Sequence, residues 1–179
     1  MAPTEVTTWH LEQTAPSDLR PAPQPASPVT LVQVELPSPD LSRFLYDVVG
    51  NDWWWYRRLP WTRFEWLAWL DRPELEMWVV YERGTPAGYF ELERQPHGNV
   101  EVVYFGLMPH AIGRGIGGWM LTKALDRAWA MDGTRRVWLH TCTLDGPYAR
   151  ANYEARGLTV FDTVSATEDL PDAMPARWP

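Results

Sequence analysis

The sequence predicts a mixed α/β or α+β sandwich, that is, helices packed on one sheet, and three observations lead to this class. The 179 residues are enough for one domain with a full hydrophobic core. Residues 75–107 contain three apolar or alternating runs separated by short turns, which is typical of an antiparallel meander. Residues 107–164 then read as a helix, a strand, a helix and a strand, which supplies the helical layer of such a sandwich.

The segments before the meander are predicted from alternation, proline content and capping residues. Alternation within residues 1–14 indicates a short strand. The proline-rich residues 15–28 cannot continue a helix or a central strand, so they are expected to be an extended connector. Ser38 and Asp40 are the N-cap candidates of one helix, and Thr62 and Glu65 form a capping box at the start of another. The predicted strand and the two helices cover residues 29–36, 38–49 and 62–70.

The meander and the elements after it are predicted from turns and periodicity. Gly84-Thr85-Pro86 and His97-Gly98-Asn99 mark the two turns of the meander. Apolar residues recur at helical spacing after Gly113, and Asp132-Gly133 ends that helix. The predicted strands cover residues 75–81, 88–94, 100–107, 137–142 and 158–164, and the predicted helices cover residues 113–131 and 148–156.

One domain is expected over residues 29–167. The strand and the connector of residues 1–28 would pack on this domain. Residues 168–179 contain three prolines and are expected to form an irregular tail.

Composition and charge exclude several classes of protein. The formal charge of −7 and the pI near 5.1 argue against a nucleic-acid binder, which would present a basic face. No apolar run is long enough to span a bilayer, and the first residues lack the pattern of a signal peptide. Cys142 is the single cysteine, and no His/Asp/Glu spacing supports a metal site. We therefore expect a cytoplasmic protein without a nucleic-acid, membrane or metal partner.

Tryptophan is unusually frequent, with twelve residues, many of them between Trp53 and Trp78. Trp53, Trp54 and Trp55 cannot all face one core, so at least one is expected to be exposed or to line a pocket. An aromatic wall would favour a cationic or an aromatic acceptor. The alternative is a contact between two subunits of a homodimer.

A glycine-rich loop, Gly113 to Gly118, follows a predicted strand and opens a helix, which is a typical site for a phosphate group. Gly113, Gly115 and Gly118 satisfy the GxGxxG pattern of dinucleotide-binding proteins. That pattern needs a strand that runs straight into the first glycine and an acidic residue at the end of the next strand. Neither is present, since residues 108–112 intervene and the next strand ends in His140-Thr141-Cys142.

Three groups of residues carry a resemblance to a known family: Leu107-Met108-Pro109, then Gly113-Arg114-Gly115-Ile116-Gly117, and finally Ala149, Tyr153 and Gly157-Leu158. In this order they resemble the GNAT acetyltransferase superfamily. In that family a proline ends a strand, Arg/Gln-x-x-Gly-x-Gly/Ala forms the acyl-CoA loop, and an alanine lies four residues before a tyrosine. The resemblance covers residues 79–164. It implies a mixed, mostly antiparallel central sheet flanked by helices.

The resemblance also implies acetyl-CoA as co-substrate. The pyrophosphate would lie on the loop formed by Gly113, Arg114, Gly115, Ile116, Gly117 and Gly118. Phe105, Gly106 and Leu107 would pair their backbone with the pantetheine arm where neighbouring strands splay apart. The Arg/Gln position that opens the family's loop is occupied by Ile112, so backbone amides are expected to hold the phosphates, and Arg114 could still reach one.

Two residues match the family's catalytic positions. Glu101 lies at the start of the central strand, where histone-type members carry a general-base glutamate. Leu107 follows Glu101 by six positions, so the two side chains are expected to face the same side of the sheet. The alternative for Glu101 is a solvated glutamate at a strand end. Tyr153 would protonate the leaving thiolate, and its alternative is a tyrosine that packs the helix on the sheet.

Further residues are expected on the acceptor side. His140 would line the acceptor site or simply pack, and Glu91 and Glu93 share one face of the neighbouring strand as reserve bases. Together the expected acceptor-binding residues are Trp53, Trp54, Trp55, Glu91 and His140.

The sequence thus predicts an acetyl-CoA-dependent N-acetyltransferase that acts on a small-molecule or peptide amine. The amine would attack directly in a ternary complex, a strand amide near Leu107 would hold the oxyanion, and Glu101 would remove the proton, through water. Two other classes remain open. One is a non-catalytic acyl-CoA-binding or protein-interaction module of the same fold, and the other is a nucleotide-dependent oxidoreductase.

Overall fold

The computed structural model describes residues 2–174, and within them the chain forms one seven-stranded sheet with four α-helices. This architecture confirms the predicted fold class. The strands are β1 (Ala2–Gln13), β2 (Val29–Gln33), β3 (Leu75–Glu82), β4 (Thr85–Gln95), β5 (Asn99–Leu107), β6 (Arg136–Cys142) and β7 (Thr159–Leu170). The helices are α1 (Pro39–Gly50), α2 (Arg63–Leu70), α3 (Ile116–Ala130) and α4 (Ala149–Ala155).

The sheet has the order β2-β3-β4-β5-β6-β1-β7. Strands β2 to β5 are antiparallel neighbours, which confirms the meander. Strand β6 runs parallel to β5, because the crossover through α3 returns the chain in the same direction. Strand β1 lies between β6 and β7 and is antiparallel to both, so the N-terminal strand is an internal strand of the sheet.

The helices cover opposite faces of the sheet. Helices α1 and α2 pack on one face over a core that contains Leu45, Leu70 and Tyr89. Helices α3 and α4 pack on the other face over a larger core around Phe90 and Met120. Successive residues of β4 therefore enter different cores, because side chains alternate along a strand.

Local signals place the starts of α1 and α2 as predicted, whereas α3 begins three residues later than predicted, at Ile116. Ser38 caps α1 by accepting a hydrogen bond from the amide of Leu41, and Thr62 and Glu65 form the predicted capping box of α2. Three strands differ in length from the prediction by more than two residues. Strand β2 ends at Gln33, and β4 already begins at Thr85, within the predicted turn. Strand β7 continues to Leu170, so it extends three residues into the segment expected to be irregular. Pairing with β1 along its whole length accounts for this extension.

No helix within residues 2–174 combines the length and the apolar character needed to cross a membrane. The same residues contain no group of three or more His, Cys, Asp or Glu side chains that could hold a metal ion.

Candidate active site

The centre of the candidate site is the place where β5 and β6 separate. The two strands pair only from Asn99 with Arg136 to Glu101 with Trp138. Beyond Glu101 they diverge, as the family resemblance implied, and β6 continues in register with β1. A cavity of about 1200 Å³ opens at this point, and Phe105, Gly106 and Leu107 line it.

A β-bulge decides which face each residue of β5 occupies. Leu92 pairs with Val102 and Glu91 with Tyr104, so Val103 is an extra residue on β5. Glu101 consequently lies on the α1/α2 face, opposite Glu93, whereas the Leu107 side chain packs into the core under α3. The expectation that Glu101 and Leu107 face the same side is therefore wrong, because it assumed a regular strand.

Glu101 is held by a short hydrogen-bond network. The Nε2 of Gln95 donates to Oε2 of Glu101 at 2.7 Å, and the indole Nε1 of Trp138 donates to Oε1 of Gln95 at 3.0 Å. The other carboxylate oxygen, Oε1, lies 3.5 Å from Nδ1 of His140. Both Glu101 and His140 line the cavity, and Glu101 is buried, so the structure does not support a solvated strand-end glutamate.

The glycine-rich loop borders the cavity at the start of α3. Gly113 and Gly115 adopt left-handed conformations with φ of 78° and 77°, which a residue with a Cβ adopts only with strain. Gly115 is the N-cap residue of α3 and supplies no capping side chain, so the first amides of the helix are left for another acceptor. Gly117 and Gly118 line the cavity together with Gly113.

Two residues of the loop point elsewhere. The guanidinium of Arg114 donates from Nη2 to Oε1 of Glu82 at 2.6 Å, and Arg114 lies outside the cavity wall. The side chain of Ile116 is fully buried in the core, so only its backbone is left to contact a ligand of the loop. Ile112 lines the cavity, at the position where the family usually has Arg or Gln.

Tyr153 of α4 lines the cavity and contacts Phe105 edge to face, with 6.0 Å between ring centroids. Burial, together with the negative charge of Asp145, raises the pKa of Tyr153 far above its ordinary value. A phenol is already protonated at physiological pH, and the raised pKa keeps it so while making it a weaker acid.

The tryptophan-rich segment forms one wall of the cavity. Trp53, Trp54 and Trp55 all line it. Trp55 also packs on Tyr104, with 4.7 Å between ring centroids. The same segment reaches across to the last strand, because Nη2 of Arg57 lies 2.8 Å from Oε2 of Glu168.

Glu91 does not lie at the cavity, although it was expected on the acceptor side. Its side chain is 1% exposed, and its Oε2 accepts hydrogen bonds from Nη1 of Arg58 and from Nε1 of Trp69, both at 3.0 Å. The side chain of Arg58 is 7% exposed, and its guanidinium lies over the rings of Trp69 and Tyr104. This buried ion pair anchors the aromatic wall to the sheet.

Several residues of the site were not expected from the sequence. Gln95 becomes a partner of Glu101 only through the turn that joins β4 to β5, and the ion pair between Arg57 and Glu168 joins residues far apart in sequence. His10 reaches the cavity because β1 lies beside β6. The one signal in the sequence for the contact with Glu101 was the polar character of Gln95, which lies next to a predicted turn of the meander.

A cleft between diverging parallel strands, with a glycine-rich loop and an uncapped helix start on its wall, defines the class of acyltransferases of the GNAT type. Comparison with known families agrees with this geometry. Residues 41–158, more than half of the chain, match the Acetyltransferase (GNAT) family, and the chain belongs to this family.

Solved structures share the fold at low sequence identity. A GCN5-related N-acetyltransferase from Kribbella flavida is 19% identical, with a TM-score of 0.65, over 90% of this chain and 56% of that chain. One from Sphaerobacter thermophilus is 20% identical, with a TM-score of 0.62, over 98% and 55%. A spermidine N-acetyltransferase from Vibrio cholerae, solved with CoA and spermine, is 20% identical, with a TM-score of 0.58, over 72% and 79%.

The chain spans little more than half the length of the structures from Kribbella flavida and Sphaerobacter thermophilus. No curated protein matches the chain significantly. At these identities the solved structures establish the fold.

Proposed function

We propose that the chain is an acetyl-CoA-dependent N-acetyltransferase that transfers an acetyl group to a primary amine by direct attack in a ternary complex. The observation that carries the proposal is the separation of β5 from β6 immediately after Glu101. It leaves the backbone of residues 102–107 without a strand partner on the β6 side, next to the amides of the glycine loop and in one cavity with Glu101 and Tyr153.

The residues present fit an acyl-CoA. The uncapped start of α3 and the open glycine loop offer amide donors for a pyrophosphate, without needing the side chain of Arg114. The free edge of β5 at Phe105, Gly106 and Leu107 offers hydrogen bonds to an amide-containing arm. When bound, the thioester would supply the activated acetyl group.

The side chains divide the proton transfers between two sides of the cavity. Glu101 would remove a proton from the acceptor ammonium, because only the neutral amine can attack the thioester. Tyr153, which is protonated near pH 7 as any phenol is, would donate a proton to the leaving thiolate. The aromatic wall of Trp53, Trp54 and Trp55 would contact the acceptor, and a cationic or aromatic amine suits it.

The test is to measure thiol release from acetyl-CoA over a panel of amines, together with thermal unfolding with and without CoA. We expect turnover of at least one amine, and a higher melting temperature with CoA, because a ligand that binds the native state stabilises it. Tyr153→Phe should reduce kcat about 100-fold while CoA still raises the melting temperature. Stabilisation by CoA without turnover of any amine would instead indicate a non-catalytic acyl-CoA-binding module.

A further inference from the structure

The contact between Glu101 and His140 gives the acceptor side of the cavity a carboxylate–imidazole pair. Nδ1 of His140 lies 3.5 Å from Oε1 of Glu101. This separation is a few tenths of an ångström longer than a formed hydrogen bond, so the two groups are close enough to act on each other electrostatically. His140 stands on β6 two residues beyond Trp138, which is the last residue that pairs with β5.

The network behind Glu101 leaves only one of its oxygens for this contact. The indole N–H of Trp138 can only donate, so the carbonyl oxygen of Gln95 faces it and the amide nitrogen of Gln95 faces Glu101. Oε2 of Glu101 is thereby engaged, and Oε1 is directed to His140. The carboxylate is buried, with 11% of its side chain exposed, whereas the His140 side chain is 49% exposed in the cavity.

An ionised carboxylate at Nδ1 favours the imidazole tautomer that carries its proton on Nδ1. The lone pair of the neutral ring then lies on Nε2. Imidazole is the side chain that exchanges protons most readily near neutral pH, so it is better matched than a carboxylate to removing a proton from an ammonium ion.

We propose that His140 is the catalytic base of this site and that Glu101 acts through it as the positioning carboxylate. This inference rests on the proposed N-acetyltransferase function and replaces water as the group between Glu101 and the amine. Nε2 of neutral His140 takes a proton from the acceptor ammonium, and the electron pair of the broken N–H bond stays on the amine nitrogen. The resulting imidazolium keeps its Nδ1–H on Glu101 and releases the Nε2 proton to water.

Other charged groups near His140 set the background for any pH dependence. Besides Glu101 on β5, the nearest is His10 on β1, whose ring centroid lies 6.0 Å from that of His140 and whose Nδ1 lies 4.0 Å from Asp162 on β7. The titratable thiol of Cys142 lies two residues along β6. The remaining charged groups line the same cavity, and they are Arg57, Arg58, Asp145 and Glu168. His10 offers a matched control, because it places a second imidazole in the cavity, with its Nδ1 4.0 Å from a carboxylate oxygen of Asp162.

The first test compares pH profiles of kcat/KM for the unaltered protein, His140→Gln and His10→Gln. We expect H140Q to lose about 100-fold near pH 7, to recover as rising pH supplies neutral amine, and to be rescued by added imidazole. In H10Q, the fall of kcat/KM at low pH should occur at the same pH as in the unaltered protein. A loss of kcat/KM in H140Q that is equal at every pH and is not rescued by imidazole would overturn the assignment.

The second test needs no turnover. Nitrogen-15 NMR of the protein, with the His140 signals assigned by their absence in H140Q, reports which ring nitrogen carries the proton. We expect the Nδ1–H tautomer in the unaltered protein and its loss in Glu101→Gln. An Nε2–H tautomer in the unaltered protein contradicts the pairing, even if amines are acetylated. Conversely, failure of every amine in the panel refutes the proposed function, while the tautomer still decides whether Glu101 positions His140.

Discussion

Arg58 donates a hydrogen bond from Nη1 to Oε2 of Glu91 at 3.0 Å, and both side chains are almost completely buried. The guanidinium carbon lies 4.0 Å from the ring centroid of Trp69 and 4.3 Å from that of Tyr104. Arg58 belongs to the segment that forms the aromatic wall, and Glu91 belongs to the central sheet. One buried ion pair thus fixes the aromatic wall of the cavity to the central sheet.

Replacing Glu91 by Gln should lower the free energy of unfolding by about 3 kcal/mol, because a buried guanidinium loses its charged partner. Urea unfolding measures the difference. Glu154→Gln is the control, since it removes an exposed pair with Arg150 and should change the stability by less than about 1 kcal/mol. Equal losses in the two variants would show that the buried pair adds nothing beyond an exposed one.

Replacing Gly115 by Ala should weaken the stabilisation of the protein by CoA. The left-handed conformation at this residue disfavours a side chain by about 1 kcal/mol, and relief of that strain would reorient the amides at the start of α3. Gly133→Ala is the matched control, because Gly133 has the same φ of 77° and, like Gly115, has open space where a Cβ would stand.

Both glycine variants should therefore melt earlier than the unaltered protein, and only Gly115→Ala should show a smaller rise in melting temperature with CoA. Thermal unfolding over a CoA titration measures this. The same response to CoA in both variants would remove the loop from the proposed phosphate site.

Replacing Glu168 by Gln should raise KM for the acceptor and leave CoA binding unchanged. Glu168 holds Arg57 across the cavity, and the hydrogen bond and charge of Glu168 raise the pKa of Arg57. Because Arg57 is largely exposed, the loss of global stability should stay below about 1 kcal/mol. High salt should produce a similar rise in KM in the unaltered protein.

Asp40→Asn is the control for this bridge, since it removes an exposed ion pair with Arg63 away from the cavity wall. Steady-state kinetics over a range of acceptor concentrations measures both variants. An unchanged acceptor KM in Glu168→Gln would mean that the bridge does not shape the acceptor site.

Acid should destabilise the protein partly through Glu76. Burial alone would raise the pKa of Glu76, but hydrogen bonds from Arg127 and Trp78 and the charge of Arg127 outweigh it, so the pKa lies below the ordinary value of 4.5. A depressed folded-state pKa contributes stability above the unfolded value, and this contribution is lost as the pH falls through the folded-state pKa.

Glu76→Gln should therefore be less stable than the unaltered protein at pH 7, and its stability should fall less steeply below about pH 5. Urea unfolding at a series of pH values gives both curves. Two parallel curves would show that the Arg127 contact does not couple to the protonation of Glu76.

The elements that could be predicted from the sequence are those that depend on residues close to one another in the chain. The capping box of Thr62 and Glu65 and the meander of β3 to β5 depend on residues a few positions apart, and the glycine loop is contiguous. Features that depend on distant pairing could not be predicted. Strand β1 lies between β6 and β7 because it pairs with residues that are more than a hundred positions away in the chain.

The candidate site divides in the same way. The cavity residues on β5 and in the glycine loop followed from contiguous motifs. The bulge at Val103 could not be predicted, because one extra residue in a strand leaves no pattern in the sequence, and it changed the face that Leu107 occupies relative to Glu101. The burial of Glu91 depends on Arg58, which reaches it from a loop 33 residues earlier in the chain.

The pairing of β1 with β7 also bears on the order in which the molecule folds. The hydroxyl groups of Thr7 and Ser165 lie 2.9 Å apart although 158 positions separate them in the chain. Closing so long a loop is slow, and a ribosome must have made nearly the whole described chain before β7 exists. Strands β1 and β7 both line the cavity, so this part of its wall should assemble last. We expect the amides of β1 to gain protection late in pulsed hydrogen exchange, after those of the meander.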